Sequence, residues 1–244
     1  MHSCLSPCGD LLMSPATIAK TLKEKGVKLA ALTDHNSALN CPAFGKCCRD
    51  EGIAVLYGME AQSAEELHVL TLFSDLQTAA GFCAEWYETL PDIINNPEKT
   101  GDQVYVDEND EIVGEVEKYL ITSSSYTLDE TAAKVHELGG LVIPAHVDRP
   151  SFSMMSQLGA IVEGDWDALE FVRPQDMKFV TADSSIDIVL PRPYPVTTSS
   201  DAHYVEHIAR RAFDLDIGDF PLQNADGSVN LAAVKSGLAK RMKR

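Results

Sequence analysis

The stretch Leu32-Thr33-Asp34-His35-Asn36 decides how this chain is interpreted. It follows the short apolar run 27–31, which is typical of a buried strand, so an aspartate and a histidine stand where a strand ends. Four other strand boundaries along the chain carry the same kinds of side chain. They are occupied by Glu60, His68, His146, and Asp201 with His203. Because strand ends in an α/β barrel converge on one face, the pattern predicts a single shared metal site.

Strand and helix patterns alternate along most of the chain, which favours a mostly parallel α/β sheet. Ligand candidates at five strand ends favour a closed barrel, since an open sheet collects its site at one switch point. Near the C-terminal end, 204–210 is predicted as a helix and 212–216 as a strand. Residues 91–126 break the alternation with a predicted hairpin. We therefore expect one domain over 1–244, with 91–126 inserted as a small cap segment.

Composition limits the classes of function. The 244 residues carry a net charge of -17, which disfavours stable binding to nucleic-acid phosphates. No apolar run is long enough to span a membrane, and the first residues lack the features of a signal peptide. The six cysteines are therefore expected to be reduced thiols. These features predict a cytoplasmic protein with a small substrate, without nucleic-acid or membrane partners.

The candidate site combines imidazoles with carboxylates, which suits zinc, manganese or iron. Its members are His2, Asp10, Asp34, His35, Glu60, His68, His146, Asp201 and His203. Taken singly, each histidine has a structural interpretation, and Asp34 and Asp201 could each cap a helix. Taken together, five of the seven histidines stand beside carboxylates at strand boundaries, which favours the metal site.

These pieces resemble the polymerase-and-histidinol-phosphatase (PHP) family of metal-dependent phosphoesterases. The matching residues are His2-Ser3-Cys4-Leu5-Ser6, Thr33-Asp34-His35-Asn36, Gly58-Met59-Glu60, His68, His146 and Ser200-Asp201-Ala202-His203. The resemblance implies a distorted seven-stranded (β/α)7 TIM-like barrel and two or three divalent ions. By carry-over the ligand sets are His2, Glu60 and Asp201; Glu60, His68 and His146; and His35 with His203.

The resemblance also implies roles beyond the main ligand sets. Asp10 is the nearest candidate for a further ligand from the first loop, and Asp34 would orient a histidine from outside the metal shell. Arg149 would contact a substrate phosphate. The catalytic group would be Glu60, Asp201 and His203.

One departure concerns the start of the chain. The family opens with two histidines separated by one residue, whereas here Met1 stands in the middle position and only His2 is present. A late start codon or a natural truncation of the first strand would explain this. The expectation is that His2 sits on a frayed terminus and that the first metal site is weak.

The sequence leaves alternative functions open. The first expectation is hydrolysis of a small phosphorylated metabolite or nucleotide by metal-activated water. The alternatives are a non-catalytic metal-binding or regulatory barrel and a metal-dependent amide hydrolase. The run from His203 to His207 matches the H-x-x-E-H motif of zinc proteases, but that motif needs both histidines on one helix. Because His203 follows a strand and a turn, we interpret His207 as an ordinary helix residue.

Overall fold

A computed structural model describes residues 1–243. These residues form seven α-helices and one 3-10 turn in addition to the strands. The helices are α1 (Pro15–Glu24), α2 (Cys41–Asp50), α3 (Leu76–Glu88), α4 (Pro97–Thr100), α5 (Leu128–Glu137), α6 (Met154–Leu158) and α7 (Leu231–Ala239). The 3-10 turn is Val205–His207.

The strands form two larger sheets and two hairpins. They are β1 (Leu29–Leu32), β2 (Ala54–Gln62), β3 (His68–Phe73), β4 (Val104–Val106), β5 (Ile112–Glu115), β6 (Leu141–Pro144), β7 (Leu169–Glu170), β8 (Lys178–Val180), β9 (Ser185–Asp187), β10 (Tyr194–Thr197) and β11 (Met242–Lys243). The four-stranded sheet has the order β1-β2-β3-β6, and the three-stranded sheet has the order β11-β10-β7. The hairpins are β4-β5 and β8-β9.

The expectation of a mostly parallel sheet is wrong. In the four-stranded sheet only β1 and β2 are parallel, whereas β2-β3 and β3-β6 are antiparallel. The connection from β2 to β3, residues 63–67, is too short to hold the crossover that a parallel pair requires. Gly58 lets these two strands approach closely, because a Cβ there would collide with the Thr71 carbonyl. The fold is mixed α/β, and the strands within residues 1–243 form two larger sheets and two hairpins, with no closed barrel among them.

The segment after β10 also differs from its prediction. The predicted helix 204–210 is reduced to the single 3-10 turn Val205–His207, and 212–216 forms no strand. In this segment arginine side chains, instead of a paired strand, satisfy the backbone carbonyls of the turn after β10. Arg210 Nε donates to the Ser200 carbonyl at 2.7 Å, and Arg211 Nε donates to the Ser199 carbonyl at 2.7 Å. Such long-range contacts are invisible to a local sequence pattern.

Two helix starts follow directly from local sequence. Ser14 Oγ accepts the Thr17 N–H at 3.2 Å, and Pro15 occupies the first turn of α1. Thr127 and Glu130 form a capping box at the start of α5, satisfying two backbone N–H groups reciprocally. Both caps depend on residues only three positions apart, so the local sequence is enough to specify them.

The segment 91–126 contains the short helix α4 and the predicted hairpin β4-β5, which is confirmed. It packs against the start of the chain: the Val106 N–H donates to Asn40 Oδ1 at 2.8 Å, and the Cys4 thiol contacts the Val104 carbonyl. The single-domain boundary and the capping role of this segment stay predictions.

The core consists of two large apolar clusters and a small third one formed by Cys4, Val104 and Val106. A cavity of about 660 Å³ lies among aliphatic side chains that include Leu29, Leu56, Leu72 and Ile143, and none of the seven histidines lines it. All six cysteines are free. Among residues 1–243 no helix is long and apolar enough to cross a membrane. The cytoplasmic location stays a prediction.

Asn36 joins four parts of the fold at one buried point. Its Oδ1 accepts the Gln62 N–H and the Trp86 indole N–H, each at 2.8 Å. Its Nδ2 donates to the Leu120 and Thr122 carbonyls, each at 2.7 Å. The residue has φ 48°, a left-handed conformation that asparagine tolerates better than most side chains. Asn36 therefore ties the loop after β1 to β2, α3 and the end of the 91–126 segment.

We expect Asn36→Ala to lower the free energy of unfolding by about 3 kcal/mol, because it leaves buried donors and acceptors unpaired. Urea denaturation measures this change. The matched control is Asn96→Ala, at an exposed residue whose side chain makes no capping hydrogen bond. It should change stability by less than about 0.5 kcal/mol. Equal effects from both variants would contradict the role of Asn36.

Candidate metal centre

The carboxylate of Glu60 lies at the centre of the predicted site. Its Oε2 is 3.3 Å from His2 Nε2, 3.3 Å from His35 Nδ1 and 3.4 Å from His68 Nδ1. Its Oε1 is 3.2 Å from His146 Nε2. Glu60 is only 3% exposed. One buried carboxylate therefore contacts four imidazoles.

Strand pairing brings these side chains together. The backbone of His35 pairs with that of Glu60 in a parallel bridge just beyond the end of β1. His68 opens β3 opposite Gln62, because β3 runs antiparallel to β2. His146 follows β6 with φ 32°, a strained left-handed conformation that turns the chain sharply after the strand. The three histidines reach Glu60 from three neighbouring strands.

The turn after β10 supplies the other carboxylate. Asp201 Oδ1 is 3.4 Å from His2 Nε2, and Asp201 Oδ2 accepts Arg149 Nη1 at 2.8 Å. His203 stacks on His2 with 4.2 Å between ring centroids, and its Nδ1 lies 3.1 Å from the Asp201 carbonyl. If Nδ1 is protonated and donates to that carbonyl, Nε2 keeps a lone pair that can bind a metal ion.

His2 is firmly held, so the expectation of a frayed first ligand is wrong. The His2 N–H donates to the Ala202 carbonyl at 2.9 Å, and the Thr33 N–H donates to the Met1 carbonyl at 2.9 Å. The His2 residue is 1% exposed. Its backbone thus bridges the end of β1 and the turn after β10, which orders the side chain.

The residues fit a divalent metal site. Three sets of side chains each place one ligand atom within 4.8 Å of the others: His2, His35 and His203; His35, Glu60 and His68; His2, Glu60 and Asp201. Several buried atoms in these sets and on the neighbouring His146 also lack hydrogen-bond partners in the part of the chain that the structure describes. They are His35 Nδ1, Glu60 Oε2, both ring nitrogens of His68, and His146 Nδ1. Unpaired buried polar atoms are costly, and cations bound to these nitrogens and oxygens would satisfy them.

The local electrostatics keep most of these groups in their ligand form. Burial lowers the pKa of His35 and His68, and it lowers the pKa of His203 to about 4. Burial alone would raise the pKa of Glu60, but the surrounding histidines hold that pKa well below its usual range. At neutral pH the three imidazoles are therefore uncharged and Glu60 is ionised.

His2 behaves differently from the other histidines. Burial opposes its protonation, but the adjacent carboxylates of Asp201 and Glu60 outweigh burial and raise the pKa of His2 to about 9. Two carboxylates converge on its Nε2, so this point of the site favours positive charge. A bound cation would satisfy the same demand.

Asp34 acts on the cluster through two serines. Its Oδ1 accepts the Ser3 N–H at 2.6 Å and the Ser6 hydroxyl at 2.7 Å, and its Oδ2 accepts the Ser3 hydroxyl at 2.7 Å. Ser6 Oγ then accepts His2 Nδ1–H at 3.0 Å and the His35 N–H at 3.1 Å. With its Nδ1 donating to Ser6, His2 directs Nε2 towards Glu60 and Asp201. Sequence reasoning missed this role of the serines, although Ser6 is only four residues from His2 and such a short spacing allows a local hydrogen bond.

Asp10 and Arg149 differ in their relation to the cluster. Asp10 Oδ1 accepts the Leu12 N–H at 2.8 Å, and Asp10 belongs to none of the three ligand sets found among residues 1–243. Arg149 lies beside the cluster, but its Nη1 is bound to Asp201. Arg149 therefore orients a carboxylate.

Two histidines lie outside the cluster. His207 ends the 3-10 turn and packs edge-on against Tyr204, so it does not share a helix with His203. This geometry does not match the zinc-protease motif. His136 lies in α5, and its Nε2 is 2.9 Å from Asp167 Oδ2, a structural contact.

A cavity of about 200 Å³ opens onto the cluster. Its lining residues come from seven parts of the chain. They are Cys8, His35, Glu60, His68, Ile121, Arg149, Phe152, Asp201 and His203. Sequence reasoning did not identify Cys8, Ile121 or Phe152, because nothing in their local context distinguishes them from ordinary loop residues.

An α/β fold with histidines and carboxylates gathered at one buried centre defines a class of metal-site proteins. The chain belongs to the PHP domain family, since the sequence model of the PHP domain matches residues 1–158. No curated protein matches the chain in sequence.

Three solved structures share the fold. The lesion-specific endonuclease PfuEndoQ from Pyrococcus furiosus has a TM-score of 0.57 and 20% identity, covering 86% of this chain and 49% of that one. Endonuclease Q in complex with a 27-mer duplex carrying an abasic lesion has a TM-score of 0.53 and 19% identity, covering 83% and 47%. A candidate metal-dependent phosphoesterase from Bifidobacterium adolescentis has a TM-score of 0.54 and 19% identity, covering 88% and 95%. This chain thus spans about half the length of the two endonucleases.

The expectation that excluded nucleic acid as a partner is wrong. It relied on the net charge of -17, yet a protein with the same fold, Endonuclease Q, takes a DNA duplex as its substrate. Net charge averages the whole surface, whereas a phosphate responds to the few groups nearest to it. Total charge therefore does not exclude a nucleic-acid substrate in this fold.

We expect Ser6→Ala to weaken the binding of metal ions about 10- to 100-fold, because His2 loses the partner that fixes its orientation. Competition with a chromogenic chelator measures the affinity. Ser125→Ala, at an exposed serine, is the control and should leave it unchanged. Unaltered metal affinity in Ser6→Ala would show that Ser6 does not position His2.

Proposed function

We propose that this chain hydrolyses phosphate esters with the help of two or three divalent ions, zinc, manganese or iron. The observation that carries the proposal is the division of Glu60 between two sides of the cluster. Its Oε1 faces His146 and its Oε2 faces His2, His35 and His68. A carboxylate in that position would hold ions on both of its sides, and paired ions would stabilise the attacking and leaving oxygens in phosphoryl transfer.

Of the proposed ligand sets, His2, Glu60 and Asp201 coincide with a set found in the structure, and the other two are those that the family resemblance implies. One ion would be held by His2, Glu60 and Asp201, a second by Glu60, His68 and His146, and a third by His35 with His203. Divalent ions in such a site lower the pKa of bound water towards about 7 and polarise phosphoryl oxygens. Asp34, acting through Ser6, holds His2 in the tautomer that keeps Nε2 available. Asp10 has no role in this assignment.

Arg149 connects the ligands to the substrate. One of its guanidinium N–H groups holds Asp201 Oδ2, while the residue also lines the cavity. We propose that its other N–H groups contact a non-bridging oxygen of the substrate phosphate, because a guanidinium can bind two oxyanions from its separate edges. Asp201 and the phosphate would then be placed by one side chain.

The cavity of about 200 Å³ admits one phosphate group with a limited part of what it is attached to. The reacting phosphate can belong to a phosphorylated metabolite, to a nucleotide, or to a nucleic-acid strand that offers one phosphate at a time. Assays with p-nitrophenyl phosphate, bis-p-nitrophenyl phosphate and a duplex with an abasic site separate monoester, diester and DNA cleavage. Each is run with zinc, manganese and iron in turn.

The same assays separate the alternative functions. Cleavage of p-nitroacetanilide without cleavage of phosphate esters would indicate an amide hydrolase. Tight metal binding without turnover of any of these substrates would indicate a regulatory metal-binding domain. Either result would contradict the proposal.

We expect Glu60→Gln to reduce bound metal by more than one ion per chain and to lower the hydrolysis rate at least about 100-fold, because one charge serves two ions. Elemental analysis and the phosphatase assay measure the two effects. The control is Glu137→Gln at an exposed position in α5. Loss of one ion or none from Glu60→Gln would count against bridging.

We expect His203→Ala to reduce both metal content and hydrolysis, and His207→Ala to change neither. Only His203 belongs to a ligand set, whereas His207 packs against Tyr204. The two substitutions remove the same side chain four residues apart, so each controls for the other. Equal losses would support the zinc-protease motif instead.

A further inference from the structure

The cavity over the metal centre has two chemically different parts. Its floor consists of the ligand side chains and Arg149, whereas three of its lining residues are apolar or weakly polar: Cys8, Ile121 and Phe152. These three come from separate segments, namely the loop before α1, the 91–126 segment and the loop after β6. A phosphate on the floor would leave the rest of its ester against these walls.

Phe152 is held in a defined position. Its ring stacks on His68 with 4.9 Å between centroids and 7° between planes, and its carbonyl accepts the His68 N–H at 3.2 Å. Its φ is 52°, a left-handed conformation that is unfavourable for a bulky residue. The next residue, Ser153, is buried and donates its hydroxyl to the Arg149 carbonyl at 2.5 Å. Strain of this kind at a cavity wall persists only where the surroundings impose it.

The size of the cavity limits what can reach these walls. About 200 Å³ is below the range of pockets for drug-sized ligands, and an apolar cavity of roughly 150 Å³ holds one benzene ring. A phosphate with one planar ring therefore matches both the volume and the division into polar floor and apolar walls. A polyol ester of similar size would place hydroxyl groups against Ile121 and Phe152, where they lose hydrogen bonds to water.

We propose that Phe152 and Ile121 are specificity-determining residues that select phosphate esters with a planar, apolar ring close to the phosphate. The proposal rests on the proposed phosphoesterase function and adds a substrate class to it. Phe152 provides an aromatic surface for the ring, and Ile121 provides an aliphatic surface from a different segment. Neither side chain belongs to a proposed ligand set.

The test compares two non-hydrolysable probes, phenylphosphonate and methylphosphonate, by calorimetry on the zinc-loaded chain. We expect the unmodified chain to bind phenylphosphonate more tightly by about 3- to 10-fold, the range typical of one aromatic contact. Phe152→Ala should remove most of that preference and leave the affinity for methylphosphonate unchanged. Phe152→Leu, which keeps apolar volume without the ring, should retain an intermediate preference.

Because Phe152 also contacts His68, zinc content is measured for every variant. Where Phe152→Ala loses zinc, Ile121→Ala decides, since it alters the other wall: a reduced phenyl preference supports the proposal, and an unchanged one overturns it. The control is Leu158→Ala in α6, at a residue 40% exposed that does not line the cavity. The proposal is also overturned if the unmodified chain binds both probes equally or neither.

Binding and turnover separate this inference from the proposed function. A chain that cleaves no phosphate ester, but prefers phenylphosphonate through Phe152, would overturn the phosphoesterase function and keep the ring-binding walls. A chain that cleaves phosphate esters without any phenyl preference would support the phosphoesterase function and overturn the ring-binding role of Phe152 and Ile121. Probe affinity is the cleaner readout, because the cleavage rates of aryl and alkyl esters also differ through their leaving groups.

Discussion

A buried carboxylate among imidazoles is the constraint on which this structure depends. Glu60 lies near the end of β2 at 3% exposure, and an ionised carboxylate at that depth is tolerated only where opposite charge or donors surround it. Four imidazoles lie within 3.4 Å of its two oxygens. Each comes from a different segment, so all the pairings of the larger sheet must form before the charge is compensated. The chemistry of the site and the order of the sheet are therefore linked.

Antiparallel pairing explains why one candidate ligand, His68, is the first residue of its strand, whereas His35 and His146 come just after the ends of theirs. In a parallel barrel the ligands stand at the carboxyl ends of strands. Here β3 runs antiparallel to β2, so its first residue, His68, lies beside the last residues of β2. The next strand, β6, is antiparallel to β3, and His146 after its end reaches the same edge. The ligands meet at one edge although the strands alternate in direction.

Backbone strain is concentrated around the same edge. His146, Phe152 and Asp201 all have positive φ, and each contacts or lines the cluster. Such conformations cost free energy for residues other than glycine and persist only when neighbouring contacts impose them. The Arg210 and Arg211 side chains provide those contacts for the turn at Asp201 by holding the carbonyls of residues 199–201. The aspartate is thereby directed at His2 instead of being free to cap a helix.

The sequence alone determined those features that depend on residues near one another in the chain. The caps of α1 and α5, the β4-β5 hairpin and the gathering of histidines with Glu60 and Asp201 were predictable, because capping, turns and strand ends leave local patterns. Asp34 was also expected to act indirectly, although the serines that carry its effect were not identified.

Only the tertiary structure decided the direction of strand pairing, the ion pair between Arg149 and Asp201, the position of Asp10 outside the ligand sets, and the walls formed by Ile121 and Phe152. Each of these depends on what a side chain or strand meets after the chain has folded. Arg149 and Asp201 are 52 positions apart in sequence, for example. Local preference therefore carries no information about such contacts, because the packing of distant segments determines their free energy.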